Sequence, residues 1–337
     1  MTKKKPFVGQ ILEQLAEKAG VQIKIEPRYG YVGQITTSGG KKRYFRNTNF
    51  DLNPLGATEV ARDKDYASYF MKLMGYPVIP GRTFYSDRRC RAIRSQKDIH
   101  AAYRYAYKLG FPVIVKPNSR SQGNCVSKVY NKRDFYQAAR QALRKDAVII
   151  VQRFIPGKDF RIVVLDGRLI SAYQRLPLVV VGDGQSTIYQ LLKEKQRQFI
   201  ASGRETKIDM KDFRLQVRLR REKITLKSVL PTGKSIHLLD NANLSDGGES
   251  IDVTQTIHPD WQKIAVDLTA DMGLRYCGVD LLIEGEIDQP LRRGQKYWII
   301  EINAAPGIDN YAAGGQEQED IVLAMYLQVL KAIDNLP

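Results

Sequence analysis

At 337 residues the chain is longer than a single hydrophobic core usually grows, so two or three subdomains are expected. A hydrophobic content of 43% with 26% charged residues is that of an ordinary soluble globular protein, and no apolar run approaches the roughly 20 residues of a membrane span. The net charge of +17 admits nucleic acid, an acidic substrate or a basic solvated surface; no nucleic-acid recognition motif accompanies it, and an anionic substrate is the preferred reading. The lysine-bearing start has neither the apolar core nor the small-residue cleavage site of a signal peptide. Cys90, Cys125 and Cys277 are isolated, without metal-type spacing, which points to a reducing cytoplasm.

In chain order, a helix is expected over Ile11 to Lys18, then short strands in VQIKIEP and GYVGQITTSG. KKRYFRNTNFDLNPLG reads as a turn-rich crossing. A helix from Asp63 to Met74 is stopped by Gly75 and Tyr76-Pro77, and Pro77 to Phe84 reads as an edge strand. A helix over Gln96 to Leu109 ends at Gly110. FPVIVKPN and NCVSKVY form a hairpin around the polar loop SRSQG. Asn131 is a good N-cap for a helix over Lys132 to Lys145, whose Phe135, Ala138, Ala139 and Ala142 share a face.

AVIIVQRF is a strand, and FRIVVLDGRLISAYQR a hairpin turning at Asp166-Gly167. Helices follow at Thr187 to Ile200, Trp261 to Met272 and Gln318 to Ile333. Residues 201–255 are expected to form a strand-rich insertion. Its basic stretch, Arg214 to Lys227, reads as the exposed face of a folded element rather than a disordered tail. The implied division is 1–62, 63–153 and 154–337, the last carrying the insertion.

Two late segments carry the most chemistry. CGVDLLIEG and YWIIEINAAPG set Asp280, Glu301 and Asn303 on neighbouring strands. Strand period two points Glu301 and Asn303 to one side. Two carboxylates and an amide oxygen suit Mg2+ held largely by phosphate oxygens. Upstream, Lys116 interrupts an apolar strand, where a buried ammonium needs a negative partner. The loop Ser119-Arg120-Ser121-Gln122-Gly123-Asn124 follows, with donors able to wrap phosphates. Taken alone this is a polar hairpin tip with a snorkelling lysine; the downstream carboxylates reverse that preference.

Backbone groups near Arg153 to Ile155 can pair with an adenine edge, and Asp159 can accept from ribose hydroxyls, although a surface turn at Pro156-Gly157 explains the same residues. Arg161 and Arg175 fall on the two arms of the next hairpin, placed either for solvent or for a phosphate or carboxylate. Two motifs are discounted. PTGKS has Ser228 where a phosphate-binding loop needs its first glycine, and GDG has Thr187 in place of the third glycine of a dinucleotide fingerprint. His100, His237 and His258 are too scattered for zinc or a triad.

The order of strand lysine, polar loop, bend, Asp and terminal Asp…Glu-x-Asn resembles the ATP-grasp carboxylate–amine ligases. The likeness is closest to the ATP-grasp module of cyanophycin synthetases and bifunctional glutathione synthetases. DKDYASYFMKLMGYPVIPG, FPVIVKPNSRSQGNCV, KDFRIVVLDGRLISAYQRLP, VVGDGQSTI, NANLSDGGESIDVT, CGVDLL and EINAAPG carry it, over about residues 55 to 310. The resemblance implies an α+β ATP-grasp fold, the nucleotide between two α+β subdomains, preceded by a small mixed N-terminal domain. It implies ATP and Mg2+, two ions with Mn2+ as a substitute.

It also implies roles. Lys64 and Lys116 hold phosphates together with Ser121, Gln122 and Gly123. Gln152, Arg153 and Ile155 form the adenine hinge and Asp159 takes the ribose. Arg161 and Arg175 join Lys116 in catalysis, and Asp280, Glu301 and Asn303 bind metal. The hinge commonly begins with Glu, from which Gln152 departs. NANLSDGG resembles a segment beside the substrate, and Asn118 to Asn124 a lid.

The sequence contains neither the Mur-ligase-like half of cyanophycin synthetase nor a glutamate–cysteine ligase half, so neither parent activity is expected to carry over whole. The expected activity is ATP-dependent amide formation on amino acids or short acidic peptides, by a cytoplasmic homo-oligomer. A glutathione synthetase-like ligase and a non-catalytic nucleotide-binding regulatory subunit are the alternatives. A protein kinase reading fails for lack of its catalytic-loop pattern.

Overall fold

A computed structural model describes residues 6–120, 123, 125–204 and 206–336; Ser121, Gln122 and Asn124 of the expected phosphate loop lie outside them. Helix α1 (Phe7–Ala19) buries Val8, Ile11, Leu12 and Leu15 on one stripe and ends where Gly20 turns left-handed at φ 72°. An antiparallel sheet follows, of β1 (Gln22–Ile25), β2 (Val32–Thr36), β3 (Lys42–Arg46) and β4 (Asn49–Phe50). The stretch expected to be a turn-rich crossing is therefore two paired strands. Phe45 faces inward beside Ile35 and Leu52 while Lys42, Tyr44 and Arg46 face out, an alternation that the flanking basic residues obscure.

The single helix expected over Asp63 to Met74 is the second of a pair, α2 (Leu55–Arg62) and α3 (Lys64–Leu73). Asp63 separates them, its carboxylate accepting from the N–H groups of Asp65 and Tyr66 as N-caps do. Strand β5 (Gly81–Tyr85) leads to α4 (Asp87–Ala92), α5 (Ile99–Leu109), β6 (Val113–Pro117), β7 (Ser127–Val129), α6 (Lys132–Lys145) and β8 (Val148–Arg153). These strands form an antiparallel sheet in the order β5-β8-β6-β7, with β5 at its edge as expected. Ala102 and Ala106 of α5, and Phe135, Ala138 and Ala142 of α6, pack on it.

The hairpin of β9 (Lys158–Leu165) and β10 (Arg168–Leu176) opens the second large unit. It continues through β11 (Val179–Val181), α7 (Ile188–Ala201), α8 (Phe213–Arg221), β12 (Ser235–His237), β13 (Glu249–Asp252), α9 (Pro259–Asp271), β14 (Tyr276–Ile283), β15 (Tyr297–Asn303), α10 (Asp309–Ala312) and α11 (Gln316–Asp334). Five of its strands form a sheet in the order β13-β10-β9-β14-β15, and β11 and β12 pair separately. One face of this sheet, with Phe160, Ile162, Val164, Val279 and Leu281, packs on α9 through Trp261, Ala265 and Leu268. The opposite face is split. Val163, Leu165, Tyr173 and Tyr276 pack against α11 and α1 at one end, and a row of charged residues occupies the other.

The 201–255 insertion is not strand-rich. Its basic stretch opens as helix α8, although Phe213, Leu215, Val217 and Leu219 alternate like a strand and are all buried. The helix is wedged between two cores: Phe213 and Val217 face the cluster containing Phe135, while Leu215 and Leu219 face the one containing Leu192. Two apolar stripes on one helix sum to a false period of two. PTGKS forms the turn that leads into β12, which pairs with β11, and Gly182 N–H donates to the Lys234 carbonyl at 2.9 Å, as its discounting predicted.

The segment joining α3 to β5 touches the five-stranded sheet. Val78 bridges Ile299 in parallel, and Ile299 N–H donates to the Pro77 carbonyl at 2.7 Å. Mixed helices and antiparallel sheets make the fold α+β, as expected. Among the described residues no helix is long and apolar enough to cross a membrane.

Candidate active site

Strand register builds the centre of the site. Tyr173 on β10, Arg161 on β9, Asp280 on β14 and Glu301 on β15 stand directly opposite one another in sequence across four strands. Side chains in such a row share a face and lie about 5 Å apart at Cβ, so Asp280 and Glu301 point the same way. Gly278 pairs with Asn303 one step along the face. A Cβ at Gly278 would meet Pro306 Cβ at 2.9 Å, so the missing side chain lets the segment after β15 pack closely over this row.

Arg161 grips Asp280 with both arms of its fork, Nε to Oδ1 at 2.6 Å and Nη2 to Oδ2 at 2.7 Å. Arg175 approaches from the next strand, its Nη2 2.9 Å from Asp280 Oδ2, while its Nε and Nη2 donate to Asp159 Oδ1 at 2.9 and 2.6 Å. Asp280 is 1% exposed, and bidentate pairing of this kind makes such burial tolerable. Burial alone would lower the pKa of both arginines, but Asp280 and, for Arg175, Asp159 hold them raised. Burial pushes Asp159 up to about 6 against the pull of Arg175, so the carboxylate is still ionised at neutral pH.

Glu301 is held more loosely. Lys64 Nζ lies 3.3 Å from Oε2, Arg161 Nη2 lies 4.0 Å from Oε1, and Asn303 Nδ2 donates to Oε1 at 3.4 Å. Burial works to raise its pKa, yet Lys64, Lys116, Arg161 and Arg175 together keep it well below the carboxylate range. Lys116 comes from β6, in the other sheet, and is 4% exposed. Burial and the Lys64 charge bring its pKa down to about 8, opposed by Glu301 and Asp280. Lys116 from one sheet and Lys64 from α3 thus bring positive charge to the carboxylate row of the other sheet.

Lys64 starts α3, and Asn118 fixes that helix end to β6. Asn118 Oδ1 accepts from Asp65 N–H at 3.0 Å, and Lys64 Nζ donates to the Arg120 carbonyl at 2.7 Å. The Arg120 side chain turns away to the Lys145 carbonyl, and Ser119 donates to Asp146. At the far end of the loop, Gly123 has φ 63°. A Cβ there would lie 2.5 Å from Asn243 Nδ2 and 2.9 Å from Asn241 Nδ2, so this glycine lets the NANLSDGG segment approach closely.

Arg214 of α8 holds the same point. Its Nη1 donates to the Gly123 carbonyl at 3.0 Å and lies 3.0 Å from Asp246 Oδ2, while its Nε and Nη2 face Asp212. Burial alone would lower its pKa, but Asp212 and Asp246 hold it raised. A cavity of about 380 Å³ opens beside this cluster, next to Cys125 and Lys211, away from the Lys116 cleft. Sequence reading missed Arg214, Asp212, Asp246 and the helix-fixing role of Asn118. The signals available were an arginine at the start of an amphipathic helix and an Asn directly after the strand lysine.

At the expected hinge, Gln152 is 8% exposed and paired to Ile114 and Gly81. The Arg153 N–H donates to the Pro80 carbonyl at 3.0 Å and is not available to a ligand; Ile155 is half-buried. Beside them Lys128, also unforeseen, sits 3.5 Å over the Phe154 ring, a cation–π contact. Among the described residues no cluster of three or more His, Cys, Asp or Glu could hold a metal by itself. Glu301, its charge compensated by Lys64 at 3.3 Å, and the amide oxygen of Asn303 fit a hard cation shared with phosphate oxygens; Asp280 is already occupied by two guanidinium groups.

The family described as the D-ala D-ala ligase C-terminus matches residues 70–199. The chain is similar to a glutathione biosynthesis bifunctional protein of Streptococcus mutans, 34% identical over 242 residues, 69% of this chain and 30% of that protein. It is similar to a cyanophycin synthetase of Trichormus variabilis, 32% identical over 310 residues, 89% of this chain and 32% of that protein. The crystal structure of a bifunctional glutathione synthetase from Pasteurella multocida superposes with a TM-score of 0.58 at 23% identity, covering 95% of this chain and 44% of that one. The chain therefore spans about a third of the length of these curated relatives.

Proposed function

The chain belongs to the ATP-grasp family, and on that premise we propose that it is an ATP-dependent carboxylate–amine ligase that forms an amide bond through an acyl phosphate. The observation that carries this reading is the convergence of Lys64 and Lys116, from separate elements, on a carboxylate row fixed by strand register. The triphosphate lies between the two sheets, its γ-phosphate toward Lys64, Lys116 and Gly123. Asp159 takes the ribose, and Gln152 and Ile155 line the adenine, with the Arg153 N–H already engaged.

In the first step a substrate carboxylate oxygen bonds to the γ-phosphorus as the bond to the bridging oxygen breaks, releasing ADP. The amine nitrogen then attacks the acyl carbon, phosphate leaves, and the amine loses a proton. Lys64 and Lys116 neutralise charge on the transferring phosphoryl group, and Arg161 and Arg175 orient the acyl phosphate. Position and electrostatics supply most of the acceleration in such transfers. Glu301 and Asn303, with Asp280 beside them, hold Mg2+ as one or two ions; when bound, the metal adds charge neutralisation on the phosphate oxygens.

The basic surface favours an acidic donor, an amino acid or a short Glu- or Asp-containing peptide, and three cysteines outside any disulfide suit a reducing cytoplasm. The protein acts as a homo-oligomer, and glutathione synthetase-like joining of glycine to a dipeptide is the second reading, favoured by the GshAB-type relatives. The test is phosphate and ADP release over pairs of amino acids and acidic peptides, with mass spectrometry of products. Glu301→Ala should abolish amine-dependent ADP release. Unchanged release in that variant would falsify the assignment, and tight ATP binding without any turnover would instead leave a regulatory nucleotide-binding subunit.

A further inference from the structure

Helix α3 carries apolar residues on two faces. Its small face, Ala67 and Met71, is buried against the fold. Its outward face is made of larger side chains: Tyr66 is 62% exposed, Tyr69 62%, Phe70 41% and Leu73 69%, with Met74 at 37% at the helix end. These follow the i, i+3, i+4, i+7 spacing of a helix that buries a stripe. Tyr69 and Phe70 already meet edge to face at 5.3 Å. Elsewhere on the helices the large exposed apolar residues stand apart from one another, as Tyr107 does on α5, where its ring meets the half-buried Tyr103 at 6.4 Å, and single ones need no explanation.

We propose that the outward face of α3 is a self-association surface, on which a second copy of the chain packs its own α3 antiparallel. Area supports a second copy as the occupant. At about 200 Å² per large side chain, the five expose roughly 550 Å², the upper range for a free monomer surface. Two such stripes bury roughly 1,100 Å², which just clears the ~1,000 Å² a specific interface needs before any rim contact is added. Charge supports it too. Antiparallel helices oppose unlike dipole ends, whereas a parallel pair would oppose Lys72, in the last turn, to Lys72. The pairing also braces a functional element, because α3 begins at Lys64, 3.3 Å from Glu301.

The test is sedimentation of the full chain across a concentration series without nucleotide, so that its outcome is independent of the ligase reading. The wild type should sediment at twice the chain mass and the double variant Tyr69→Glu/Leu73→Glu at the chain mass, with unchanged circular dichroism. As a second measurement that leaves the fold untouched, Tyr69→Cys should oxidise to a covalent dimer while Tyr107→Cys, equally exposed on α5, should not. A wild type that stays monomeric, a double variant that stays dimeric, or equal cross-linking at both positions each overturns the proposal, and a monomer throughout assigns the stripe to a different partner.

Discussion

Two buried arginine–carboxylate clusters flank the cleft, and they are assembled in opposite ways. Arg161, Arg175, Asp159 and Asp280 stand on adjacent strands whose register sets every spacing. Arg214 and its N-cap Asp212 share one helix start, while Asp246 and Gly123 come from two other segments, brought to them only by tertiary packing. Both bury a guanidinium with near-complete pairing. The first needs the sheet alone to form; the second forms only if the insertion, the NANLSDGG segment and the phosphate loop are all in place. A buried ion pair on a sheet is thus tied to stability, and one strung between loops is tied to the position of whatever the loops carry.

The sharpest way to break this contrast is to remove one arginine from each cluster. Arg161→Met leaves Asp280 with its bidentate partner gone and should cost about 3–5 kcal/mol in denaturant unfolding; a loss under about 1 kcal/mol would show that Arg175 alone supports that carboxylate. Arg214→Lys keeps the charge but loses the fork, so stability should fall by less than half as much. Its main effect should be a KM for ATP raised roughly tenfold, the scale of one charged hydrogen bond. Gly123→Ala, which forces a side chain against Asn243, should show the same KM effect, and the double variant should be little worse than either single one. Additive losses would mean that the two residues act on separate things.

A smaller effect separates the two sheets by pH. With Lys116 held down to about 8, its charge is lost as pH rises through that value, and nucleotide affinity should weaken by up to about tenfold per pH unit above it. Lys116→Arg, charged throughout, should flatten the profile. The sign for stability is opposite. Between about 8 and the ordinary lysine range the unfolded chain binds the extra proton, so this group makes the fold more stable as pH rises. Calorimetric titration and thermal melts over the same window test both.

The register-built half of the site was legible in the sequence because its donors alternate along strands bounded by apolar residues, as in VDLL and IIEIN. A lysine inside VIVKP was equally visible, since nothing else in that run is polar. Of the loop-built half, Gly123 and the NANLSDGG segment were singled out, but their meeting with Asp212 and Arg214 was not legible. Residues 123, 212, 214 and 246 share no period, and the α8 stripes for two different cores imitate a strand. Helix α2 was missed for a related reason. Only Ala61 in it is buried, so no apolar periodicity announces it, whereas its neighbour α3 was legible through its stop at Gly75 and Tyr76-Pro77.

The short parallel contact between Val78 and Ile299 ties the peptide leading into one sheet to the last strand of the other, two residues before Glu301. Any swing of one half relative to the other must turn about that seam or tear it. Residues beside a pivot sweep the least distance, so the acid that faces Lys64 would keep its place while the outer parts of the cleft travel. Helix α8, packed into both cores, fastens the halves at a second place, so any widening there must also slide that helix.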